Sequence, residues 1–125
     1  MTATFELRKF LAPEIIFGAG ARNLAGRYAR NLGGKKILVV SDPGVVKAGW
    51  TNEVVQSIEA AGLSYVLFTG VSPNTKVDEI MSGVERYRDE GCDALVAVGG
   101  GSPIDCAKGI GIVTSNHKHI VEFEG

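Results

Sequence analysis

The chain has 125 residues, 45% of them hydrophobic and 22% charged, which fits one globular domain able to bury its core without disulfides or a structural metal. Thirteen basic against fourteen acidic residues leave a net charge of −1 with no Lys/Arg block, and this argues against nucleic acid or an anionic membrane surface as partner. No apolar run approaches the roughly 20 residues of a membrane span, and the start MTATFELRKF is charged rather than signal-like; the expected address is cytoplasmic, with Cys92 and Cys106 as reduced thiols.

In chain order, residues 15–17 read as a short strand. After Gly20, the residues Leu24, Tyr28 and Leu32 share one face of a helix that closes at Gly33 and Gly34. Residues 37–41 form a second apolar strand. Thr51 is the expected N-cap of a helix carrying Val54, Val55, Ile58 and Ala61, with Gly62 as its left-handed stop. A third strand covers 64–69. Thr75 and Asp78 have capping-box spacing for a helix whose apolar face is Ile80, Val84 and Tyr87 and whose stop is Gly91. The run ALVAV at 94–98 is the fourth strand. No internal repeat or linker interrupts this order.

Residues 42–63 and 70–93 each contain one helix and are long enough for a crossover, which parallel strands need and a hairpin does not. Apolar strands covered on both faces by right-handed crossovers make a doubly wound, mostly parallel α/β sheet. In such sheets ligands bind beyond the carboxyl ends of the strands.

The informative residues fall at those ends. The fourth strand runs into Gly99, Gly100, Gly101 and Ser102, then Pro103, Ile104 and Asp105. Ser102 is expected to cap a helix with Pro103 at its first position and Asp105 closing a capping box. The three glycines let backbone amides approach a ligand, and the helix start favours phosphate. A merely tight turn is the alternative, and the charge of Asp105 opposes phosphate unless it stays on the cap side. Neither the pattern GxxxxGK[ST] nor GxGxxG is present, since GAGARN at 18–23 lacks the third glycine. Asp42, after the second strand, is suited to accept hydrogen bonds from an adenosine ribose and to repel a 2′-phosphate, favouring NAD over NADP; it equally suits the turn Asp42-Pro43-Gly44, and both roles can coexist. Asn74, after the third strand, offers an amide to a nucleotide or a turn. Thr114, Ser115 and Asn116 have the same two readings.

The segments PEIIFGAGA at 13–21, SDPGVVKAG at 41–49, SPN at 72–74 and GGGSPIDCAKGI at 99–110 resemble, in order and spacing, the iron-containing (group III) alcohol dehydrogenases. The resemblance covers essentially the whole chain and implies a Rossmann-like, single dinucleotide-binding domain over residues 1–125. It implies NAD as cofactor, with its pyrophosphate on the turn Gly99, Gly100, Gly101 and Ser102, Asp42 near the adenosine ribose and Asn74 near the nucleotide, and Asp105 completes the expected cofactor-binding set. It further implies hydride transfer between alcohol or aldehyde substrates and the nicotinamide, and a homodimer that exchanges or pairs N-terminal strands. Iron or another divalent metal belongs, in that family, to an Asp and three His of a helical C-terminal domain absent here. His117 and His119 do not match those positions and are two ligands short of a centre, so neither a metal ligand nor a catalytic residue is expected in this chain. It is expected to be the cofactor portion alone, inactive by itself. A non-catalytic folding or dimerisation module, and a relative of glycerol dehydrogenase and dehydroquinate synthase, are the alternatives.

Overall fold

The computed structural model describes residues 15–17, 25–31, 33–114 and 120–123. Strands β1 (Ile15–Phe17), β2 (Lys36–Val40), β3 (Ser64–Phe68), β4 (Ala94–Val98) and β5 (Ile120–Phe123) form one sheet in the order β1-β5-β4-β2-β3. Every neighbouring pair is parallel. The helices are α1 (Ala25–Asn31), α2 (Pro43–Ala48), α3 (Trp50–Ala60), α4 (Val77–Asp89) and α5 (Gly101–Thr114). The doubly wound α/β fold is therefore as expected. Leu24, Leu32, Ser115, Asn116, His117 and His119 lie outside the described residues, as does the side chain of Tyr28.

Alternation along β2 and β4 divides the core. Leu38, Val40, Leu95 and Ala97 face a layer made by α4 and α5, with Val84, Tyr87, Cys106 and Ile110. Ile37, Val39, Ala94, Val96 and Val98 face Ala25 and Ala29 of α1 and Val54 and Ile58 of α3. All five residues of β4 are buried, which is why that strand reads as a continuous apolar run rather than an alternating one. At the amino edge, the Asp93 carboxylate accepts the amides of Lys35 at 2.9 and 3.1 Å and of Lys36 at 3.0 Å, fastening β2 to the start of β4.

Several element starts differ from the sequence expectation. Gly49, at φ 90°, both closes α2 and precedes the first residue of α3. Thr51 is thus inside α3, buried, with its hydroxyl 2.7 Å from that of Ser41, and is not the cap. The capping box falls one residue later than Thr75 and Asp78: Glu79 Oε1 accepts the Lys76 amide at 3.3 Å, because α4 starts at Val77. Strands β2 and β3 end one residue before Ser41 and Thr69. The helix α2 and the strand β5 were not anticipated. Among the described residues no helix is long and apolar enough to cross a membrane.

Candidate functional site

Chain direction across the sheet reverses between β2 and β4. From β2 the chain passes outward to β3, and from β4 it passes the other way to β5, so α3 and α5 cover opposite faces. At such a switch point the two outgoing turns diverge and leave a crevice above the strand ends. A cleft of about 350 Å³ occupies that place, lined by residues 42–44, 71–73 and 100–103. A second depression, about 500 Å³ and more open, runs along the outer side of α4 past Asp78, Met81, Glu85 and Arg88. Its mixed charges lack the converging helix-start amides of the first.

Asp42 is in extended conformation at the start of α2, and its Oδ1 accepts the Val45 amide at 2.8 Å. Capping is therefore one of its roles. Gly99 is at φ 129°, in the region L side chains avoid, and a Cβ there would lie 2.8 Å from Val45 Cγ2, 3.1 Å from Pro103 Cγ and 3.5 Å from Asp42 Oδ2. The missing side chain lets the two turns close against each other. Gly100 and Gly101 differ: a Cβ on either meets nothing within 4 Å. These two present bare backbone to the cleft. The Ile104 amide bonds the Gly100 carbonyl at 3.4 Å, so Gly100 stands at the N-cap and the following amides belong to the first turn of α5, the turn whose N–H groups have no intrahelical partner.

That start corrects the reading of Ser102. It is the second residue of α5, and its hydroxyl donates to the Pro73 carbonyl at 2.7 Å. The reciprocal box with Asp105 is not formed. Because the helix begins at Gly101, Pro103 is its third residue, a position where its missing N–H still costs no helical bond. Asp105 is exposed and is not among the residues lining the cleft. Asn74 is exposed, one residue beyond the lining, and its carbonyl accepts the Ser72 hydroxyl at 2.9 Å. Thr114 is buried, with its hydroxyl on the Gly111 carbonyl at 3.2 Å, at the far end of α5. The structure thus brings Asp42, Gly100, Gly101 and Ser102 together around one cleft with Gly99 behind them, and leaves Asn74 at the rim. Sequence reasoning missed Val71, Ser72 and Pro73 as a wall; that role depends on β3 lying next to β2, which no local pattern carries.

Among the described residues no group of three or more His, Cys, Asp or Glu side chains is placed to hold a metal ion.

The family model for iron-containing alcohol dehydrogenase matches residues 12–125. The chain is 38% identical to 1,3-propanediol dehydrogenase of Citrobacter freundii over 125 residues, 98% of this chain and 32% of that protein. It is 36% identical to NAD-dependent methanol dehydrogenase of Bacillus methanolicus over 116 residues, 93% of this chain and 30% of that one. A crystal structure of a 1,3-propanediol oxidoreductase superposes with a TM-score of 0.75 at 39% identity, covering 86% of this chain and 28% of the other. The chain spans about a third of the length of the curated relatives it matches. On the match from residue 12 to the end, and on a shared sheet, the chain belongs to the iron-containing alcohol dehydrogenase family, of which it represents the N-terminal portion.

Proposed function

We propose that the switch-point cleft binds NAD and that the chain supplies the cofactor half of an enzyme interconverting alcohols and aldehydes. The observation that carries this reading is the bare backbone of Gly100 and Gly101 facing the cleft at the start of α5, beside the Asp42 carboxylate. The first-turn amides would hold the pyrophosphate, aided by the positive end of the α5 dipole. With Oδ1 engaged by Val45, Asp42 would offer Oδ2 to the adenosine ribose hydroxyls, and the same charge would repel a 2′-phosphate. The amide of Asn74, at the rim, would meet the nucleotide as it leaves the cleft. When bound, the nicotinamide supplies hydride transfer.

A relative named for NAD dependence supports the choice of cofactor. The metal of the family name finds no ligand set among the described residues, so no step is assigned to one, and the chain alone is expected to be inactive toward alcohols. Among the described residues β1 is one of the two edge strands of the sheet, and a homodimer exchanging or pairing N-terminal strands fits that position. Like the relatives' substrates, this assembly and a cytoplasmic address belong to the proposal.

Calorimetric or fluorescence titration tests it. NADH should bind the folded chain weakly and NADPH more weakly still. Gly100→Val should keep the fold, since the added atoms enter open space, and reduce NADH affinity by about tenfold or more through obstruction of the amides. A folded Gly100→Val protein that binds NADH as the parent does would remove the cradle. A dimer with no measurable response to NADH would favour a folding or dimerisation module.

A further inference from the structure

Two side-chain bonds of opposite direction cross from the loop after β3 to the first turn of α5. The Ser102 hydroxyl donates to the Pro73 carbonyl at 2.7 Å, and the Thr75 hydroxyl donates to the Ser102 carbonyl at 3.2 Å. The loop at 72–76 is also braced internally. Glu79 Oε1 accepts the amides of Ser72 and Lys76, each at 3.3 Å, and the Ser72 hydroxyl reaches the Asn74 carbonyl. Glu79 and Ser72 thus shape the loop, while Ser102 and Thr75 fasten it to the glycine turn that forms the opposite wall of the cleft. A hydroxyl has one proton to donate. That of Ser102 is committed to Pro73, so a phosphate would meet backbone amides at this turn and not the serine proton.

We propose that Ser102 and Thr75 form a clasp that sets the gap between the 71–73 wall and the glycine turn, making both hydroxyls positioning groups for a dinucleotide pyrophosphate. This deepens the NAD reading above and rests on it. Thr75 is the sharper probe, because it acts from outside the cleft lining.

The test uses Thr75→Val, which keeps the shape and removes the donor, and Thr75→Ser, which restores it. Two readouts are taken: NADH affinity, and the rate of tryptic cleavage after the exposed Lys76, with cleavage after exposed Lys47 in α2 as internal control. Thr75→Val is expected to weaken NADH binding and to speed cleavage after Lys76, each by about fivefold, the worth of one neutral hydrogen bond. Cleavage after Lys47 should stay at the parental rate, and Thr75→Ser should return both readouts to parental values. General loss of stability would instead speed both cleavages, and that result overturns the clasp. So does unchanged cleavage after Lys76. Faster cleavage after Lys76 with unchanged NADH affinity overturns the positioning role. If the parent chain binds no NADH while the cleavage result holds, the cofactor reading itself has failed and the clasp is only a loop fastening.

Discussion

Gly99 and Gly100 are adjacent, and each is glycine for a different reason. At Gly99 the backbone is at φ 129° and Val45 and Pro103 occupy the space a side chain would need. Gly99→Ala is therefore expected to cost about 2 to 3 kcal/mol of stability, the sum of a strained backbone and a tight contact, read as a lower urea midpoint. At Gly100 neither obstacle exists, so on the NAD reading proposed above the cost of a side chain would fall on the ligand. The triplet was legible as a block because it follows an apolar strand and precedes a helix start. Its division of labour was not, since that depends on Val45 and Asp42 arriving from β2. The same holds for Ser102. Its type and place fit a cap, yet the helix opens at Gly101, and the hydroxyl found Pro73 from a distant loop.

The helices α3 and α4 were readable from their apolar period, and their glycine stops followed. Their first residues were less so: Lys76 took the place of Thr75 before α4 because Glu79 reaches back to the Lys76 amide. The six residues of α2 and four of β5 are too short for any period to emerge. Close packing between elements was invisible as well. A Cβ on Gly26 of α1 would collide with the Ser57 carbonyl oxygen and stand 2.9 Å from Ile58 Cα of α3. These are backbone atoms and cannot turn aside, so Gly26→Ala should destabilise by about 3 kcal/mol, measured by thermal or urea unfolding. Glu79 adds a pH dependence to the loop before α4. Hydrogen bonds from Ser72 above all, with help from the Lys76 amide and charge, hold its carboxyl below the ordinary value of 4.5. A carboxylate favoured in the folded state stabilises above that ordinary value and loses this contribution as pH falls through the lowered one. Amide exchange at Ser72 and Lys76, corrected for intrinsic rates, should accelerate once pH falls below the ordinary carboxyl value of 4.5. Glu79→Gln should flatten the response.

Over the whole molecule, connection lengths were enough to imply parallel strands, but the order β1-β5-β4-β2-β3 was not legible, because neighbours in the sheet are remote in the chain. The two cysteines report on the integrity of that sheet. Both are buried in the layer beneath α4 and α5, and burial pushes each thiol up to about 11 from 9.0. Aromatic disulfide reagents should modify them slowly at about pH 8, at a rate that follows opening of the fold, since the thiolate is the nucleophile. A raised thiol pKa leaves stability intact below the unfolded value of 9.0 and erodes it as pH rises toward about 11, where only the unfolded chain ionises freely. The urea midpoint should therefore drop between about pH 9 and about pH 11.

The pairing of Ile37 with Ala94, and of Val40 with Ala97, joins the two strands whose ends carry the cleft. These partners are remote in the chain, separated by α2, α3, β3 and α4, a contact of long sequence separation that forms at an entropic disadvantage. On the NAD reading proposed above, a nucleotide added at the start of refolding would find no mouth to enter, and would leave the folding rate as it was. Added to the finished protein, it would retard departure from the native state, so its signature would be a slower unfolding limb in a stopped-flow experiment rather than a faster refolding one.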